Sequence, residues 1–161
     1  MVKRILLIIA YTPIVLAFLY FSLYFVTPLV NNGTLSIFAS QINSNHLPEN
    51  TVVIEKEARC GKLNGNGNGM DFFACALIKT DLSLEELKHF YEGVSFRTAR
   101  WDKEHSAEVA VIPAEYELKT EYYERDTIYF EHLKDVTDYT DYYVLILYDW
   151  GYPADFDIGG H

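Results

Sequence analysis

The side chains best suited to chemistry in this 161-residue chain are two cysteines, five histidines, a glycine-rich loop and a run of aspartates near the C-terminus. His46, His89, His105, His132 and His161 are scattered. None forms an H-x-x-x-H pair, and no Ser or Cys stands beside a His and Asp pair, so neither a zinc hydrolase nor a nucleophilic triad is indicated. Gly65-x-Gly67-x-Gly69 lacks the Lys-Ser/Thr ending of a phosphate loop and runs into Met70-Asp71-Phe72-Phe73, a strand pattern where phosphate binding needs a helix N-terminus. Nucleotide binding is rejected on that ground. Asp155-x-Asp157-x-Gly159 has part of a calcium loop's spacing without its further ligands or its closing Glu, which favours a solvated acidic surface. No cofactor and no metal is expected, and no residue can be nominated as general acid or base.

Two groupings remain. Cys60 and Cys75 are expected to form a disulfide if the domain lies in an oxidising compartment, and a bridge of that span would contribute ~3 kcal/mol in the chain-entropy picture. After Lys134 no Lys or Arg occurs, while Asp135, Asp138, Asp141, Asp149, Asp155 and Asp157 do. That makes a negative field, and the surrounding tyrosines, Tyr152 among them, add aromatic surface suited to cationic peptide or sugar contacts. Asp135, Asp138, Asp141 and Tyr152, with Asn66 and Asn68 of the glycine-rich loop, are the candidate partner contacts.

The elements that position these residues begin with a hydrophobic run. From Ile5 to Val26 only Thr12, Pro13 and Ser22 are not apolar, and a helix of that length crosses a hydrocarbon core of ~30 Å. Lys3 and Arg4 precede the run, and no Lys or Arg follows until Lys56, which predicts a cytoplasmic N-terminus over residues 1–4 and an extracytoplasmic remainder. The run exceeds a secretory core and no A-x-A site follows it, so an uncleaved anchor over residues 5–26, in contact with the lipid bilayer, is expected. Residues 27–48 are polar but uncharged and read as a stalk, with Pro28, Asn31, Asn32 and Gly33 ending the membrane segment. Within it Leu35, Phe38, Ala39 and Ile42 recur at helical spacing, to lie on the membrane or pack on the domain.

Residues 49–161 carry all 23 acids against 11 of the 13 bases, which excludes a basic nucleic-acid binder. Thr51–Cys60 and Met70–Lys79 are β-rich and flank three successive Asn-Gly pairs, the strongest short turn signal, so a hairpin with a mobile tip is predicted. If Gly65 faces Met70, Cys60 faces Cys75, and Ile54, Ala58, Phe73 and Leu77 share their face. Thr80–Gly93 is the best-specified helix: Ser83 caps it, Glu86 completes a capping box, and Leu84, Leu87, Phe90 or Tyr91, and Val94 line one side. Strands are expected at Ala107–Ile112, Glu115–Tyr122, Thr127–Leu133 and Tyr142–Trp150, the last apolar on both faces and therefore central. The expected class is α+β: a transmembrane helix, then an antiparallel sheet with one main helix packed on it.

The residues Leu47-Pro48-x-x-Thr51, Glu55, Cys60-Gly61-Lys62-Leu63, Gly65-Asn66-Gly67-Asn68-Gly69-Met70 and Asp81-Leu82-Ser83-Leu84-Glu85-Glu86-Leu87 carry a resemblance over about residues 47–92. They resemble uncharacterised bacterial membrane-anchored or lipoprotein-like proteins with a small extracytoplasmic domain. The resemblance implies a bacterial surface location and no particular chemistry; a plain hydrophobic helix stands here where a lipidated Cys is often found. The expected function is a non-catalytic binding domain held at the membrane, for a protein or other envelope ligand. An immunity-type protein that neutralises a basic toxin and a cell-envelope enzyme are the alternatives.

Overall fold

The computed structural model describes residues 2–65, 69–100 and 106–153. Its elements are α1 (Val2–Ala39), β1 (Val52–Gly61), β2 (Gly69–Lys79), α2 (Leu84–Glu92), β3 (Glu108–Pro113), β4 (Glu117–Thr120), β5 (Tyr123–Tyr129) and β6 (Tyr142–Pro153), with short 3-10 turns at Ser44–His46 and Glu131–Asp135. The class is α+β: a long apolar N-terminal helix, then an antiparallel four-stranded sheet in the order β1-β2-β6-β3 and a second helix.

α1 is one helix of 38 residues that continues through Pro13 and Pro28, about 57 Å at 1.5 Å per residue. It is long and apolar enough to cross a membrane, and its most apolar stretch has no protein packed over it. The successive side chains of Phe18, Leu19, Tyr20 and Phe21, which point to all sides of the helix, stand exposed. The expected stalk is therefore not a separate segment: the turn residues after Pro28 stay helical because the end of α1 docks on the sheet. Phe38 and Ile42, each 1% exposed, enter the core, and Leu35 and Ala39 pack beside them. The folded unit thus begins inside the helix, well before residue 49.

The sheet has an apolar layer on each face. On one, Phe72, Ala74, Ala76 and Ile78 of β2 and Leu145 and Leu147 of β6 meet α1, α2 and Phe96. On the other, Phe73, Cys75 and Leu77 with Val144 and Ile146 meet Leu118, Ile128, Phe130 and Leu133, contributed by the β4–β5 hairpin and the turn after it. β6 lies between β2 and β3 with both faces covered, as its unbroken apolar run requires. α2 is held by the expected box, the Ser83 hydroxyl and Glu86 carboxylate each engaging the other's backbone N–H, and Leu87 and Tyr91 are its buried pair.

Two expectations fail in informative ways. Glu115–Tyr122 and Thr127–Leu133 are not two sheet strands. β4 stops at Thr120, β5 starts at Tyr123, and the pair forms a separate two-stranded ribbon laid on the second face. Beyond it Phe130 and Leu133 are both buried three residues apart, a spacing met by a 3-10 turn and not by a strand. The disulfide is also absent, and both cysteines are reduced thiols. β1 and β2 pair with Cys60 opposite Phe72 and with Cys75 opposite Glu57, three positions from the register that joins the cysteines. An odd displacement sends them to opposite faces: Cys60 and Ala58 pack on the helix side, Cys75 on the ribbon side.

Candidate interaction site

The geometry of the domain is set at the end where α1 docks. β6 carries one extra residue between Asp149, which pairs with Phe72, and Tyr152, which pairs with Met70, and Gly151 within it has φ +81°. This bulge brings Asp149 and Tyr152, an odd number of residues apart, to the same face. There the Tyr152 hydroxyl donates to Asp149 Oδ2 at 2.5 Å, and the backbone N–H of Ala99 donates to the same oxygen at 2.7 Å. Burial, reinforced by the bond to Asp149, pushes the Tyr152 phenol up to about 12. The N–H of Arg100 donates to Tyr152 Oη at 3.3 Å and its guanidinium lies 5.2 Å over the same ring. That guanidinium then donates to the carboxamide oxygen of Asn31, a buried residue of α1, at 3.0 Å. A polar chain from β6 through the 98–100 segment to α1 therefore fixes the domain on its helix.

Tyr152 is consequently not a surface anchor. It is 3% exposed, because β6 runs past Trp150, where the expected strand ended, as a bulged strand to Pro153. The exposed aromatic here is Trp150, stacked on Tyr148 at 5.4 Å.

Asp135, Asp138 and Asp141 are all exposed, on the segment between the Glu131–Asp135 turn and β6. They sit at the opposite end of β6 from the α1 contact. Asp138 accepts from the N–H and hydroxyl of Thr140, which holds its carboxyl below the usual range and orders the loop. Asn66 and Asn68, like Asp155, Asp157, His105 and His161, lie outside the described residues. The base of their loop is tied down: Asn64 donates to the Tyr148 hydroxyl at 2.9 Å and Gly65 N–H to Glu124 at 3.2 Å.

The other histidines stay apart. His46 packs against Phe96 at 5.0 Å, His132 reaches the Tyr142 hydroxyl at 3.3 Å, and His89 meets Glu92 at 3.1 Å on the open face of α2. Among the described residues no three His, Cys, Asp or Glu side chains gather as a metal centre requires. Burial, with the charge of Glu57, pushes the Cys75 thiol up to about 12, the opposite of an activated nucleophile.

The site that sequence reasoning missed is a groove of about 370 Å³ between α2 and β3, lined by Lys88, Tyr91, Glu92 and residues 109–111. α2 leaves β2 and returns over β3, the last strand of the sheet, so a helix flanks an open sheet edge. Only pairing order exposes it: in the sequence β3 is an ordinary apolar run. No family model, curated protein or solved structure matches this chain.

Proposed function

We propose that this chain is a single-pass membrane protein of a bacterial surface, with a cytoplasmic N-terminus and an α+β domain outside that binds a protein partner without catalysis. The observation that carries the reading is the division of α1. Its apolar part has none of the described residues packed over it, while its last turn, through Phe38, and Ile42 just beyond it belong to the core of the domain. A helix built this way holds the domain in a fixed pose close to the bilayer. Lys3 and Arg4 just before the apolar run, against the charge-free stretch up to Pro48, support the orientation.

A tag fused after His161 should be digested when protease is added to intact protoplasts of cells expressing the full chain. Protection of the tag would overturn the topology. A narrower reading, in which the partner is a basic toxin, is favoured by the exposed Asp135, Asp138 and Asp141 at the end of the domain away from the docked helix. It requires that producing the chain protect cells from a basic toxin and that Asp135→Asn with Asp141→Asn weaken that protection.

A further inference from the structure

We propose that the open edge of β3 takes up an extended cationic segment of another protein as a fifth strand of the sheet. This rests on the reading of the chain as a membrane-held binding protein and names the contact it makes.

The backbone supplies the first argument. Ala114 N–H donates to Tyr142 C=O at 3.0 Å, one step beyond the last β3–β6 pair. Antiparallel ladders alternate, so Glu108, Ala110 and Ile112 exchange bonds with β6, and Val109 and Val111 turn their N–H and C=O groups away from it. Ala107, in the same outward phase, donates to Phe96 C=O at 3.0 Å. Beyond that bond no described residue takes up the outward groups of Val109 and Val111. Pro113 also falls in the outward phase, where a missing N–H is tolerated at a sheet edge. Donors and acceptors repeating at every second residue are what an added strand uses.

Side chains supply the second. A strand laid on β3 points every second side chain into the groove beside α2, against Tyr91, Val109 and Val111. Tyr91 is buried there with its hydroxyl unpartnered among the described residues. Glu92, in the groove and bonded to His89, Glu108, on the other face of β3 and accepting from the Tyr122 hydroxyl, and the exposed Glu115 just after β3 set three acids against Lys88, which is itself drawn to Glu85 at 3.5 Å. The complementary strand alternates apolar residues, for the groove, with Lys or Arg.

A second copy of this chain fits less well. The Cys60 thiol lies 3.8 Å from Asn32 Oδ1, and the Lys56 ammonium donates to Ile42 C=O. The end of α1 from Asn32 to Ala39, with the turn to Ile42, and four residues of strand, roughly 13 Å, therefore run side by side in opposite directions, and the strands follow the axis of α1. Antiparallel pairing of two β3 edges needs a two-fold axis across the strands, which would point the second helix away from the first one's membrane.

The test uses the full chain in lipid nanodiscs and the probe acetyl-Lys-Val-Lys-Val-Lys-Val-Lys-amide. Binding is read by anisotropy, and the Val109 and Val111 amides by hydrogen exchange. Both amides should exchange more slowly with the probe bound. Val111→Pro, which removes an N–H that the ladder with β6 does not use, should weaken binding by about tenfold or more, measured well below a thermal midpoint that the loss of a buried valine lowers. The probe N-methylated at alternate residues, or with Glu for Lys, should lose a similar factor, and the N-methylated probe decides the matter should Val111→Pro fail to fold. Equal binding by Val111→Pro, unaffected binding of the N-methylated probe, or self-association of the chain that Val111→Pro abolishes would each overturn the proposal. In those cases the digestion of the C-terminal tag on protoplasts still decides the anchoring reading separately.

Discussion

The carboxamide of Asn31, buried in the last quarter of α1, accepts a hydrogen bond at 3.0 Å from Arg100, 69 residues later in the chain. That bond ties a long, exposed apolar helix to the folded domain. Removing it in Asn31→Ala leaves part of a guanidinium's bonding unmet, and a bond to a charged group is worth roughly 1.5–3 kcal/mol. The denaturation midpoint of the full chain in nanodiscs should fall accordingly; an unchanged midpoint would refute the joint.

Both thiols should react with Ellman's reagent in the unfolded, unreduced protein, since the register holds them on opposite faces. In the folded protein Cys60 should react first. Cys75, buried and shifted to about 12, should not gain reactivity as pH rises past the ordinary thiol range near 8.5. Recovery of a Cys60–Cys75 peptide after non-reducing digestion would contradict this.

The tyrosine at the bulge makes the fold sensitive to alkali. An acid that the fold keeps neutral contributes stability that is complete below its unfolded pKa and is lost as pH climbs through the folded value. For Tyr152 that window runs from about 10 to about 12, and Tyr122 and Tyr148 lie in the same range. Stability should decline across it, and Tyr152→Phe should flatten the decline while costing roughly 1.5–3 kcal/mol at neutral pH through loss of the bond to the buried Asp149. An equally steep decline in Tyr152→Phe would show that the titration lies elsewhere.

Ser83→Ala should destabilise the chain by ~1 kcal/mol, the usual worth of a helix cap. The bonds from Ser83 also hold the Glu86 carboxyl below its usual range, so their stabilisation is present above the ordinary carboxylate pKa and is lost as pH falls. Chemical denaturation at neutral and acid pH should therefore show the variant and the parent converging in acid.

Asp135→Asn with Asp141→Asn should slow association of the lysine-bearing probe more than it speeds dissociation, and the difference should shrink as salt rises. Both residues are exposed; Asp141, next to Tyr142, lies near the Ala114 end of β3, while the turn that ends at Asp135 is bonded to Glu55 of β1 and acts at longer range. Asp138 is kept intact because it orders the loop through Thr140. A salt-independent loss in dissociation alone would place these acids inside the contact.

Much of the architecture is legible in the residues because it is local. The apolar run after Arg4, the Ser83 and Glu86 box, the hairpin around the Asn-Gly pairs and the two-sided strand at Tyr142 each follow from propensity or periodicity within one segment. What the chain decides only when folded is how those segments register. The pairing of Cys60 with Phe72 separates two cysteines that spacing suggested joining. The extra residue near Gly151 turns Tyr152 from a surface anchor into part of a buried joint. Docking of Phe38 and Ile42 carries α1 through residues whose turn chemistry argued for its end. Strand order then leaves β3 at the rim beside α2. Each depends on burial summed over partners distant in sequence, and a single displaced residue in a period of two exchanges the inner face for the outer.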